Sequence, residues 1–350
     1  MLGHRTAVGR VQSALAAIQD LQPKYVLVGV EDYKRFPAPW HIRLTNPWHS
    51  SYLARMKAAT AVQEPFDMLF VNTWELMVAF QHLARKVPAI AYLDAVPATI
   101  HSQLVDRGLG GWKRNLAYHL HNFPFRKAVH NFRMFMPMGS DCRDSLVNEY
   151  GIDARCCSPV TLAPQNPAAP LPPRDCSGHL RLLFVGNDFF RKGGRFLLDL
   201  YTAHLSGYCT LTVVSNDSAL ASATLPPGVE LLRNLNVEQM QEVYRQHHIF
   251  LFPTQQDFMP QVLGEALLFG VPCLANNVGG IRDLIHNGQT GFLMERDATQ
   301  QMWAARIQEL ASNPALLVRL SASARRFAEE HLLIDRFNRL VADVIEQLRA

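Results

Sequence analysis

Short runs of consecutive apolar residues, bounded by Gly, Pro, Asn or Asp, recur along this chain, and each is separated from the next by a stretch with apolar residues at helical spacing. A run that is apolar at every position suits a strand buried on both faces. Strands joined through helices lie parallel, so the alternation specifies α/β domains built on parallel sheets. In the first half the runs are 24–30 (KYVLVGV), 67–72, 89–95 and 133–138. In the second half they are 180–186, 209–215, 229–233, 248–253, 272–276 and 291–294, each expected to lead into a turn and a helix. Three helices are predicted after them, over 299–312, 315–331 and 335–349. The last carries Phe337, Leu340, Val341, Val344, Ile345 and Leu348 on one stripe, which must dock on another surface.

Between the halves lies the segment 162–179, which holds Pro164, Pro167, Pro170, Pro172 and Pro173. Proline at this density bars a helix and favours an extended, semi-rigid connector. The predicted organisation is a first domain over 1–165, a linker over 166–178, a second domain over 179–332, and a terminal helix over 333–350 that crosses back to the first domain. A chain of 350 residues accommodates two such domains. Val8, Val11, Leu15 and Ile18 recur at helical spacing, so the sequence opens with a helix. A doubly wound domain normally leads with a strand. Either the fold lacks that strand or the true start codon lies upstream.

Composition narrows the function classes. A 48% hydrophobic and 18% charged chain is an ordinary globular one, and 34 basic against 30 acidic residues leave a net +4, too slight to imply nucleic-acid binding. The six cysteines form no C-x-x-C pair, so a zinc or redox site is unsupported. No apolar run approaches the roughly 18 residues needed to span a bilayer. The expectation is a cytoplasmic protein, at most peripheral at the inner membrane face.

Two stretches carry chemistry. From Pro253 to Met294, Asp257 falls in the loop after a strand and Glu265 in the helix that follows. Ligands of open α/β sheets bind at strand ends. A carboxylate near a helix start can accept two sugar hydroxyls, while free N–H groups around Met259 to Val262 can meet phosphate or sugar oxygens. Glu265 sits among Val262, Leu263, Ala266 and Leu267, too apolar a helix for a merely solvated carboxylate, so a specific partner is expected. Asp257 reads equally as a turn or cap residue. From Val185 to Leu200, a strand ends at Gly186 and Arg191-Lys192-Gly193-Gly194 opens a helix. Cations and glycines at a helix N-terminus make an anion site suited to a diphosphate.

The order Gly186, Lys192-Gly193, Pro253, Asp257, Glu265-Ala266, Gly270-Val271-Pro272, Gly279-Gly280 and Asn287-Gly288 with Gly291 resembles the family-4 retaining glycosyltransferases of the GT-B fold. Ser140, Leu146, Tyr150-Gly151 and Pro164 resemble the run that precedes that family's linker. The resemblance implies two Rossmann-like, doubly wound domains facing a cleft. It implies transfer of a sugar from a nucleoside-diphosphate sugar, with retention and without metal or other cofactor, to a saccharide or lipid-linked glycan. It assigns the donor diphosphate to Lys192, Arg191, Asn187 and Gly186, and the ribose to Glu265. The donor sugar falls to Asp257, Phe258, Met259 and Pro260, and the nucleobase to Arg233 and Asn234. Three positions depart from the family pattern: Asn187 stands where Arg is usual, Asp257 where Glu is usual, and Asp94 where a first-domain His is usual. Asp94 and His101 are the acceptor-side catalytic candidates, His101 reading first as an ordinary structural histidine. A catalytically silent glycan- or nucleotide-binding module is the alternative. The segment 110–135, which interleaves Trp112, Phe123, Phe125, Phe132 and Phe135 with Lys113, Arg114, Arg126, Lys127 and Arg133, reads first as core helix with snorkelling cations and second as a membrane contact.

Overall fold

The structure is a computed structural model that describes residues 2–27, 52, 54–58, 65–106, 108, 111–161, 164, 179–220 and 223–349. It divides into two compact units, Met1–Thr161 with Phe337–Ala350, and Leu162–Arg336. Pro164 goes with the second unit because it packs near Gly264. The linker 166–178 lies outside the described residues, as do residues 28–30 of the run 24–30; residues 24–27 are irregular.

The first unit opens on helix α1 (Leu2–Ala16), which buries Val11, Ala14 and Leu15. There follow β1 (Leu69–Asn72), α2 (Trp74–Ala84), β2 (Ala89–Leu93), α3 (Pro97–Asp106), α4 (Trp112–Val129), β3 (Met134–Pro137) and α5 (Ser140–Asn148). The strands form a parallel sheet in the order β1-β2-β3. All of β2 and β3 is buried, as expected of strands covered on both faces. The core is built on Trp74, Met77, Phe125 and Phe135. A buried polar link crosses it: the Tyr150 hydroxyl donates to Asn122 Oδ1 at 2.7 Å and accepts from the Ala98 N–H at 3.1 Å.

The second unit runs β4 (Leu180–Val185), α6 (Gly194–Leu200), β5 (Cys209–Val214), β6 (Val229–Leu232), α7 (Val237–Gln246), β7 (Ile249–Phe252), α8 (Gln261–Leu268), β8 (Cys273–Asn276), β9 (Gly291–Met294), α9 (Gln300–Ala311) and α10 (Pro314–His331). Among the described residues, β5 and β8 lead into 3₁₀ segments, Ser218–Leu220 and Gly279–Asp283, in place of the expected helices. The six strands are parallel in the order β6-β5-β4-β7-β8-β9. Helix α11 (Ile334–Arg349) buries the stripe Phe337, Val341, Val344, Ile345 and Leu348. From Phe337 onward it belongs to the first unit, with the Phe337 ring edge-on to Tyr92 of β2 at 6.2 Å.

Candidate functional site

The strand order locates the site before any side chain is considered. From β4 the chain moves outward through β5 to β6, then returns to β7 on the other side of β4 and moves outward through β8 to β9. The C-terminal ends of β4 and β7 therefore flank the point where the winding reverses, which is where open α/β sheets leave a crevice for ligands. The loop after β4 carries Gly186, Asn187, Arg191 and Lys192, and the loop after β7 carries Asp257 to Pro260.

Close backbone approach brings these loops together. Gly193 adopts φ +84°, and a Cβ there would sit 2.1 Å from the Pro253 carbonyl oxygen, so only glycine lets the first loop abut the end of β7. At Gly186 a Cβ would meet Lys192 Cδ at 2.8 Å, so its bare backbone gives the lysine stem room across the strand end. Lys192 Nζ lies 3.7 Å from Asp257 Oδ2 and 5.2 Å from the Phe252 ring centroid. The two side chains are only 18% and 16% exposed.

The Asp257 loop is held from several sides. Thr254 Oγ1 donates to the Gln256 carbonyl at 3.0 Å, and Arg191 Nη1 donates to the same oxygen at 2.8 Å. Asn276 Nδ2, at the end of β8, donates to the Thr254 carbonyl at 3.1 Å, and the Gly280 N–H donates to Phe258 O at 2.7 Å. Arg191 also pairs with Asp188. Its guanidinium thus braces the loop as well as adding positive charge. Burial pushes the Asp257 carboxyl above the usual carboxylate range, while the charges of Lys192 and Arg191 and the Phe258 N–H, donating at 3.1 Å, pull it back.

Glu265, on the second turn of α8, has the partner its apolar setting demands. The hydroxyl of Tyr244, from α7, donates to Glu265 Oε2 at 2.9 Å, and the Tyr244 ring stacks on Phe269 at 5.6 Å. Burial, reinforced by the Glu265 charge, holds the Tyr244 phenol well above its ordinary range, so it stays a donor. Nothing in the sequence singled out Tyr244 beyond being the one aromatic of its helix.

The far edge of the site is laced by side-chain amides. Asn187 Oδ1 accepts from the Asn216 N–H at 2.9 Å, and Asn216 Oδ1 accepts from the Asn234 N–H at 2.8 Å, with Asn234 at φ +52°. Asp217 accepts from the Phe189 and Ala219 N–H groups, which with the Arg233 charge hold its carboxyl low. The ends of β4, β5 and β6 are joined in this way, with Asn187 as one of the braces. Asn216 and Asp217 were missed by the sequence reading, although an Asn-Asp pair straight after an apolar run is a signal for such bracing.

Asp94 and His101 belong to the first unit. Asp94 follows directly on β2, half-buried, and its charge helps raise the Tyr92 phenol and the Cys142 thiol. His101, on α3, stacks on Tyr118 of α4 with ring centroids 4.1 Å apart and planes 12° from parallel. That contact fastens one helix to the next.

Comparison with known proteins gives this arrangement a family. Residues 179–313 match the model of the "Glycosyl transferases group 1". A D-inositol 3-phosphate glycosyltransferase of Rhodococcus opacus is 30% identical over 193 residues, covering 55% of this chain and 39% of the relative. An uncharacterised glycosyltransferase of Haemophilus influenzae is 27% identical over 182 residues, half of each chain. The chain spans about two fifths or less of the length of the first curated relatives it matches. Among solved structures, WaaG, a glycosyltransferase involved in lipopolysaccharide biosynthesis, superimposes with a TM-score of 0.70 at 18% identity over 97% of this chain and 95% of its own. Anabaena Alr3699/HepE, solved with UDP, gives 0.64 at 14% identity over 85% and 82%. The fold is therefore GT-B, and residues 179–313 are similar to the glycosyl transferases group 1.

Proposed function

We propose that the chain transfers a sugar from a UDP-sugar to a saccharide or glycolipid acceptor, with retention of anomeric configuration and without a metal ion. The observation that carries this reading is the half-buried Lys192–Asp257 pair at the reversal of the strand order, beside a Glu265 carboxylate oriented by Tyr244. The Alr3699/HepE complexes with UDP and UDP-glucose support uracil as the base.

In this reading Lys192 meets the donor diphosphate and stabilises the charge that builds on it as the sugar departs. Glu265 accepts both ribose hydroxyls. Asp257 accepts sugar hydroxyls, aided by the backbone from Phe258 to Pro260, and Arg233 and Asn234 border the base. Asp94, at a strand end of the first unit, is the acceptor-side candidate in preference to His101, whose ring is occupied by Tyr118.

The test is a thermal-shift series with UDP, GDP, ADP and their sugar conjugates, with and without EDTA. Ligand at a hundred times its dissociation constant adds about 2.7 kcal/mol of stability. Stabilisation by UDP that EDTA leaves intact and Lys192→Ala weakens supports the reading. No shift with any nucleotide overturns it. UDP-sugar binding with neither transfer nor hydrolysis assigns the chain to the silent binding modules.

A further inference from the structure

Helix α4 has two apolar faces. One packs inward through Phe125, Ala128 and Val129. The opposite face carries Trp112, Leu116, Leu120 and Phe123, spaced by four, four and three residues and exposed by 73%, 51%, 43% and 65%. The segment 110–135 is thus split: Phe125, Phe132 and Phe135 are core, whereas Trp112 and Phe123 are not. At 1.5 Å per residue the outward stripe is roughly 16 Å long. Large apolar side chains in so continuous a row mark an interaction surface.

Cations border the stripe. Lys113 Nζ lies 5.6 Å from the Trp112 ring centroid and Lys127 Nζ 4.3 Å from that of Phe123, whereas the Arg126 guanidinium packs 5.2 Å from the ring of Tyr150. The helix WKRNLAYHLHNFPFRKAV contains no Asp or Glu. A second copy of the chain seated face to face would set these cations against their own kind. A purely polar anionic partner would leave the aromatic row in water.

We propose that this face of α4 seats on an anionic lipid bilayer, with Trp112, Leu116, Leu120 and Phe123 at the boundary between headgroups and acyl chains and Lys113 and Lys127 among the lipid phosphates. The helix lies in the plane of the surface. Among the described residues no helix is long and apolar enough to cross a membrane, so the contact is peripheral. The proposal stands independently of the donor chemistry.

The test uses the full chain with vesicles of phosphatidylcholine, with and without phosphatidylglycerol, read by co-flotation. Binding is expected to the anionic vesicles, weakening with added salt as exposed charges are screened. The double variant Trp112→Ser with Phe123→Ser should lose roughly a hundredfold in affinity for them. Lys113→Gln with Lys127→Gln should lose roughly fivefold per cation on anionic vesicles and little on neutral ones. Both pairs are exposed, so an unchanged circular-dichroism spectrum and melting temperature separate lost docking from lost folding. Absence of binding to anionic vesicles, or binding that the serine variants leave unchanged, overturns the proposal. A dimer in sedimentation equilibrium that the serine pair abolishes, with no vesicle binding, assigns the face to a second copy and overturns it equally.

Discussion

The contact between Gly193 and the end of β7 is the joint on which the proposed donor site depends, and Gly193→Ala tests it. The left-handed φ of +84° costs an alanine about 1–2 kcal/mol. Its Cβ would also stand 2.1 Å from the Pro253 carbonyl oxygen, where 3.4 Å is ordinary contact, so the loop must retreat by more than an ångström. Forcing atoms into a packed interior costs about 1–3 kcal/mol more, for a total of about 2–5 kcal/mol. Gly288→Ala is the control, because Gly288 has a similar φ of +75° with nothing within 4 Å, and should cost only the conformational part. Urea unfolding of the two variants measures the difference, and titration calorimetry with UDP shows whether the retreat of Pro253 carries Asp257 away from Lys192. Gly193→Ala should be the less stable by at least about 1 kcal/mol and should bind UDP-sugar more weakly. Equal stabilities, or a destabilised Gly193→Ala that binds donor like wild type, would refute the argument that this approach sets the site.

Three further outcomes follow from the same geometry. Lys192→Ala should weaken UDP binding by about 1.5–3 kcal/mol, the worth of a charge-assisted contact. It should also move the acid limb of the pH–rate profile upward, because Asp257 loses a charge that holds its carboxyl down; calorimetry and rate profiles check both. Asp257→Asn should remove the pH dependence of stability that Asp257 contributes. The folded protein raises the Asp257 carboxyl, so the stabilisation it contributes is full below its ordinary value of 3.8 and is lost as pH rises through the folded value. Melting temperatures should therefore diverge with rising pH, and curves that stay parallel count against the assignment. Tyr244→Phe keeps the ring stack but removes the hydrogen bond to Glu265, so the preference for UDP over its 2′,3′-dideoxy analogue should narrow roughly tenfold. An unchanged preference would mean that Glu265 does not read the ribose.

The strands of the second unit were legible because β4, β7 and β8 are apolar along nearly their whole length, a pattern that only a strand buried on both faces requires. The positions of Lys192 and Asp257 beside strand ends were legible for a related reason: each follows a recognisable apolar run, and strand ends are where such sheets hold ligands. Tyr244, Asn216 and Asn276 were not. Their roles depend on which strands become neighbours, and the adjacency of β4 to β7 is a property of winding that no local stretch of sequence records. Likewise 110–135 could be recognised as helical and aromatic, but which aromatics face inward is decided by packing against Trp74 and Tyr150.

On the proposed reading, the Lys192–Asp257 pair also explains how a donor site of this kind tolerates being empty. An ammonium and a carboxylate at 16–18% exposure each resist losing water, and each offsets the other at 3.7 Å. An arriving diphosphate supplies Lys192 with a stronger anionic partner, and the sugar hydroxyls then supply Asp257 with donors in place of the lysine. The exchange couples the two ends of the donor, so a nucleotide lacking the sugar satisfies Lys192 but leaves Asp257 with less charge compensation than before. Surrendering the lysine should therefore cost affinity for UDP alone in wild type but not in Asp257→Asn, where no carboxylate is left behind. A double-mutant cycle of Lys192→Ala and Asp257→Asn, measured with UDP and with UDP-glucose, reads this directly: the two substitutions are additive for UDP-glucose only if the exchange does not occur.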